Sequence, residues 1–225
     1  VGERARAPVE HDRPLDAVIR CRILERITTD GRLTGINLEY VVVAAGGEAF
    51  RMETRYTWVT PEVWGRLRAR SREKAGLNGR PAVLEPPVRS DPALVARGNA
   101  YNVVLAPVRV QDGRHEAQLV VDTGHPTLFD HPLDHLPGML QLEAMRQIAI
   151  AAAAERGHAP PETLRLHALA TRLERFGELD LPATVRCTLR PPDGTEVTAD
   201  VEILQAGSRV SAAEVVLALP TGAAR

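Results

Sequence analysis

Three stretches in the first part of the chain, 17–27 (AVIRCRILERI), 34–43 (TGINLEYVVV) and 49–59 (AFRMETRYTWV), alternate apolar with polar positions or are rich in β-branched residues. Turn residues at Asp30-Gly31 and Gly46-Gly47 separate them, so the pattern predicts an antiparallel meander. Pro61 then opens PEVWGRLRARSREK, predicted as a short helix with proline in its first turn. The proline-rich 81–98 (PAVLEPPVRSDPALVARG) reads as a linker, with a domain boundary near residue 90. Strand patterns resume at 101–110 (YNVVLAPVRV) and 115–123 (HEAQLVVDT), and recur near 164–176, 183–190, 195–204 and 208–219. Between them Pro137-Gly138 starts MLQLEAMRQIAIAAAAERG, predicted as the longest helix, which ends at Gly157 with Pro160-Pro161 beyond.

The two ends of the chain resemble one another. AVIRCRIL at 17–24 aligns with ATVRCTLR at 183–190, cysteines in register, and Ala45-Gly46 aligns with Ala206-Gly207, each at a strand–turn–strand. Two copies of one fold are expected, with both cysteines at core strand positions. The second copy has a long stretch between Tyr101 and Ala183 where the first has only 16 residues before Ala17, so the first is expected to be incomplete at its N-terminus. The chain begins with Val rather than Met, consistent with a longer gene product. This gives 1–80 as the end of a first repeat plus a short helix, 81–98 as linker and 99–220 as a second, complete repeat.

Charge narrows the partners. Lys+Arg 28 against Asp+Glu 29 leaves a formal net charge of −1, without the basic excess that neutralising a phosphate backbone requires, so nucleic acid is not expected. The charged start VGERARAPVEHDRP is no signal peptide and no apolar run reaches about 18 residues, so neither a membrane span nor secretion is expected and a cytoplasmic location follows. Two distant cysteines, Cys21 and Cys187, suggest neither a disulfide framework nor a zinc site.

Chemistry concentrates at 125–147, HPTLFDHPLDHLPGMLQLEAMRQ. The helix is apolar nearly all round, which predicts burial on most sides, yet Glu143, Arg146 and Gln147 share one stripe at i, i+3 and i+4. Charges so placed need a partner, water or a ligand, and a mutual Glu143–Arg146 pair on a plain helix face satisfies that need as well as a site does. The Pro-Gly start adds free N–H groups near Gly138 and Met139, which suit an anion or a carbonyl oxygen. An acid/base group one turn inside such a site is what acyl transfer uses.

Here the residues carry a family resemblance. DTGHPTLFDHPLDHLPGMLQLEAMRQ closely resembles the signature of the A-factor biosynthesis (AfsA-like) hotdog family, and the likeness extends from about residue 14 to 219 through RPLDAVIRC, RYTWVTPEVWGRLR and TRLERFGELDLPATVRC. The resemblance implies an α+β fold in which a long central helix is wrapped by an antiparallel sheet, repeated in tandem. It also implies an acyltransferase that moves a β-ketoacyl group from an acyl carrier protein to the hydroxyl of dihydroxyacetone phosphate or a similar small alcohol, on the way to a γ-butyrolactone signal. No cofactor or metal is implied. The family's first repeat has its own helix with a similar Glu-x-x-Arg-Gln stretch, and no such stretch precedes residue 14 here; a missing segment or a second subunit, as in a homodimer, is the expected source.

Within that reading Glu143 is the candidate general base, its pKa expected to rise on burial, and Arg146 either binds the acceptor phosphate or holds Glu143. The N–H groups of Gly138 and Met139 are candidates for the oxyanion site. Gly138 itself serves either a close backbone approach or only a helix start. Gln147, His135 and His131 complete the expected substrate-binding set. His135 lines the site or fixes the loop, while His125 and His131 also shape that loop, and Pro132 and Pro137 keep it too irregular for a metal-binding i, i+4 pair. Arg165, Arg172 and Arg175 are read as a solvated strand face, with contact to an acidic carrier protein as the alternative. Competing functions are a hotdog thioesterase or dehydratase, and a non-catalytic hotdog that binds an acyl ligand.

Overall fold

The structure, a computed structural model, describes residues 16–44, 46–79 and 82–220. The charged N-terminal stretch, Ala45 of the repeated turn and the first residue of the expected linker, Pro81, lie outside the described residues. The chain divides into two compact units, Val1–Arg68 and Ala69–Arg225.

The first unit contains the expected meander. Strands β1 (Ala17–Thr29), β2 (Arg32–Ala44) and β3 (Gly47–Thr57) pair antiparallel in that order. Asp30 (φ 50°) and Gly31 (φ 73°) make the left-handed turn between β1 and β2. The register puts Ile19 opposite Val42, Cys21 opposite Tyr40, and Tyr40 opposite Met52, so one face is apolar. The other face carries Arg22, Glu39 and Arg51, with Glu39 accepting from both guanidinium groups at 2.9 and 2.6 Å. Contrary to the expectation of a core thiol, Cys21 is exposed, because β1 is an edge strand whose flanking Ile19 and Ile23 are themselves 66% and 45% exposed. Helix α1 (Pro61–Lys74) forms where Pro61 predicts it and runs across the division between the units.

The second unit is a six-stranded antiparallel sheet around one helix. Strands β4 (Arg109–Gln111), β5 (Arg114–Gln118), β6 (Arg165–Leu173), β7 (Ala183–Leu189), β8 (Glu196–Gln205) and β9 (Ser208–Ala218) lie in the order β4-β5-β7-β8-β9-β6. Helix α2 (Gly138–Glu155) packs on β5, β7, β8, β9 and β6. Its run Ala149, Ile150, Ala151, Ala152, Ala153 is buried because small side chains let the sheet approach the helix on several sides. Val185, Cys187, Val197, Ala199, Ile203, Val215 and Leu217, from alternate positions of β7, β8 and β9, close the core with 0% exposure.

One expectation fails locally. The predicted strand 101–110 is a ladder only at Arg109 and Val110, continuing to Gln111; Ala100–Asn102 is a 3-10 turn capped by the Asn99 side chain, and Leu105 makes one bridge to Leu119. Pro107 lacks an N–H for the ladder, and Val103, Val104 and Leu105 are buried as an irregular span instead. The stretch read as linker contains the 3-10 turn Pro92–Val95, which packs on α2 and buries Val95 completely.

Candidate active site

Met139, Glu143 and Arg146 form the stripe of α2 that the sheet leaves uncovered; Met139 is 62% exposed, while the Glu143 and Arg146 side chains are 15% and 17% exposed. The segment 95–104 lies beside this stripe. It is brought there by Ala96, whose left-handed conformation (φ 52°, ψ 51°) ends the 3-10 turn and costs a non-glycine residue about 1–2 kcal/mol. Arg97 follows directly and reaches Glu143: its Nε donates to Oε1 at 2.8 Å and its Nη2 lies 2.5 Å from Oε2. Arg146 forks onto the same carboxylate, Nε to Oε2 at 3.0 Å and Nη2 to Oε1 at 2.9 Å, and Nη2 also donates to the Val95 carbonyl. Gln147 adds a third donor, Nε2 to Oε1 at 2.5 Å.

Burial pushes the Glu143 carboxyl up, but the Arg146 guanidinium, helped by Arg97 and Gln147, outweighs it and holds the group below the usual carboxylate range. This reverses the expected direction: burial alone predicts a raised pKa, whereas three donors favour the charged form. Gln147 is fully buried and uses both ends of its amide, donating also to the Asn102 carbonyl at 2.8 Å and accepting from the Val104 N–H at 3.0 Å. It therefore ties the irregular span 102–104 to α2.

The histidines separate. His125 is buried; its Nδ1 accepts from the Thr127 and Leu128 N–H groups, which leaves Nε2–H to donate to Asn102 Oδ1 at 3.2 Å. It stacks on Tyr101 at 4.8 Å, and the Arg89 guanidinium lies 5.5 Å from the Tyr101 ring centroid while pairing with Asp122. His131 points outward at 63% exposure, held by Asp130. His135 is 21% exposed, paired with Asp134 and edge-on to Phe176.

The entry to α2 is fixed from the loop after β6. Leu136 N–H donates to the Gly177 carbonyl at 2.8 Å, and Gln141 Nε2 donates back to the Leu136 carbonyl. The close approach belongs to Gly177, where an added Cβ would lie 2.6 Å from Leu136 Cδ1. At Gly138 a Cβ would meet only Leu173 Cδ1 at an ordinary 3.5 Å, so its role is the helix start. No side chain caps α2, and the N–H groups of Gly138 and Met139 meet no acceptor among the described residues. Glu178 and Asp180 anchor the same loop on Arg72 at 3.0 and 2.7 Å.

The structure thus brings Glu143, Arg146 and Gln147 together, places Gly138, Met139 and His135 at the mouth of the same helix, and leaves His131 on the surface. Arg97 is the residue that spacing does not reveal, since 46 positions separate it from Glu143. Among the described residues no group of three or more His, Cys, Asp or Glu is arranged to hold a metal ion, and no helix is long and apolar enough to cross a membrane.

A long helix wrapped by an antiparallel sheet, with one charged stripe left open at its start, defines the second unit as a hotdog domain of the α+β class. The chain belongs to the A-factor biosynthesis hotdog domain family (AfsA), whose model matches residues 81–221. It is 35% identical over 166 residues to the 2-oxo-3-(phosphooxy)propyl 3-oxoalkanoate synthase of Streptomyces virginiae, covering 71% of this chain and 49% of that protein. It is 36% identical over 157 residues to the synthase of the same name from Streptomyces coelicolor, covering 69% and 43%. The chain spans about half the length of the curated relatives it matches. A solved HP0420 homologue from Helicobacter felis aligns with 60% of this chain and 90% of its own at 13% identity and a TM-score of 0.46.

Proposed function

We propose that this chain takes part in forming an ester between a 3-oxoacyl group and a phosphorylated three-carbon alcohol, with an acyl carrier protein as thioester donor and dihydroxyacetone phosphate as acceptor. The observation that carries this reading is Glu143, held ionised on a buried helix by Arg97, Arg146 and Gln147, beside an uncapped helix start. The names of the relatives supply the product class.

In the proposed step the acceptor hydroxyl oxygen attacks the thioester carbonyl carbon as its proton passes to Glu143. The carbonyl oxygen gains the negative charge and is met by the Gly138 and Met139 N–H groups. Collapse of this intermediate breaks the C–S bond, and the thiolate leaves with the proton from Glu143, so no covalent acyl-enzyme is needed. Arg146 orients the carboxylate, Gln147 keeps the span beside it in place, and His135 closes the loop at the helix mouth. His131 keeps a place in this scheme only as a rim contact to the carrier-bound acyl chain.

A non-catalytic acyl-binding hotdog is the second reading, and the depressed pKa of Glu143 favours it because a weaker base removes protons less readily. We further propose two hotdog repeats, 1–80 and 99–220 joined by 81–98, a homodimer as a source of the first repeat's helix, and a cytoplasmic site of action where carrier-bound thioesters are made.

Product mass spectrometry on a β-ketoacyl thioester of carrier protein, with and without dihydroxyacetone phosphate, tests the reaction. A phosphorylated ester that requires the acceptor and is lost in Glu143→Gln is the expected result. Free β-keto acid alone would point to a thioesterase, and no turnover to the ligand-binding reading.

A further inference from the structure

The Glu143 cluster is unbalanced. Two guanidinium groups share a single carboxylate, and Gln147 is neutral, so the cluster carries a net positive charge in a partly buried place where such an excess is costly without an anion. The two arginines are not equivalent. Arg146 is 17% exposed and anchored additionally on the Val95 carbonyl, whereas Arg97 is 34% exposed and makes its side-chain bonds to Glu143 alone among the described residues. Arg97 also stands in the irregular link just after the 3-10 turn Pro92–Val95 rather than on α2, so its side chain can turn away without disturbing the helix. Its Nη1 meets no acceptor among the described residues.

Resting on the acyltransferase reading for the acceptor, we infer that Arg97 is the residue that binds the acceptor's phosphate, and that in doing so it leaves Glu143 and frees that carboxylate to accept the hydroxyl proton. A phosphate dianion offers three oxygens to the guanidinium fork and out-competes a single carboxylate already shared with Arg146 and Gln147. Glu143 then keeps the two donors from its own helix and loses the third. This removes part of what depresses its basicity, so the base becomes effective only when an acceptor is present, which suppresses hydrolysis of the bound thioester. A phosphorylated alcohol is thereby selected over its unphosphorylated counterpart.

The test is direct binding to the full chain, by calorimetry and phosphorus NMR, of inorganic phosphate, dihydroxyacetone phosphate and dihydroxyacetone, in wild type, Arg97→Ala, Arg97→Lys and Glu143→Gln, each confirmed folded by circular dichroism. Wild type is expected to bind both phosphate compounds. Arg97→Ala should weaken them about 10- to 100-fold, with dihydroxyacetone unaffected and Arg97→Lys intermediate. Glu143→Gln should bind phosphate more tightly, because the competing carboxylate is gone; a merely structural Arg97 would not give that result. Absence of phosphate binding to wild type at millimolar concentration, or binding unchanged in both Arg97 variants, would overturn the inference. Phosphate binding through Arg97 without ester formation upholds this site while refuting the acyltransferase reading.

Discussion

Glu143 meets two opposing demands: burial disfavours its charge, and three donors favour it. The donors prevail, as an Arg72 fork prevails for Asp180, whose carboxyl is also held below the usual range. A folded-state pKa below the unfolded one means that the unfolded chain binds more protons in the carboxylate range. These stabilising contributions are therefore complete above about pH 5 and lost as pH falls through about 4 and below. The urea midpoint of the wild type should drop on acidification from neutral pH, and the drop should be smaller in Glu143→Gln. At neutral pH that variant leaves two guanidinium groups short of their counter-charge, a loss of roughly 2–4 kcal/mol measurable by denaturant titration. The cysteines make a second residue-scale test. Burial, aided by the charge of Asp200, pushes the Cys187 thiol up to about 12, whereas Cys21 is exposed. A thiol reagent should label Cys21 alone in the native protein and Cys187 only after unfolding.

At the scale of elements, α2 was legible because eighteen residues opened by Pro-Gly are apolar around most of the helix, with their charged and amide side chains gathered near one stripe and at the end. The β7–β9 meander was legible from β-branched, partly alternating runs set against Gly-containing turns. The stretch 101–110 was not: its apolar residues are buried as expected, but Pro107 and the Asn99 cap decide against a ladder, and the span is held instead by Gln147. Nor was the loop 174–182, whose first residues fall within the strand expected near 164–176 and which sets the entry of α2 through Gly177. Gly177→Ala should push Leu136 aside, costing about 1–3 kcal/mol and lowering activity along with stability. A thermal melt read beside turnover checks both; a variant with unchanged melting and activity would show that Leu136 simply repacks.

At the scale of the molecule, the two units differ in how their apolar faces are covered. In the second, β7 turns Ala183, Val185 and Cys187 onto α2; in the first, β1 presents Ile19, Cys21 and Ile23 beside Phe50 and Met52, and those large side chains remain 37% to 66% exposed. A contiguous apolar sheet face of this kind favours association. Sedimentation velocity should reveal concentration-dependent self-association, reduced when Ile19 and Phe50 are replaced by Thr; a species that stays monomeric at all concentrations would argue against the proposed homodimer.

Sequence by itself determined the local choices: where strands alternate, where Pro and Gly stop them, and that one apolar helix must carry Glu143, Arg146 and Gln147 on a shared stripe. These follow from periodicity and turn chemistry, which act over a few residues. Tertiary structure alone decided that Arg97 joins that stripe, that Glu143 is held ionised rather than pushed up, that Gly177 rather than Gly138 makes the close approach, and that Cys21 and Cys187 have opposite environments. Each depends on a contact between distant positions, and the balance of burial against donors exists only once those positions meet.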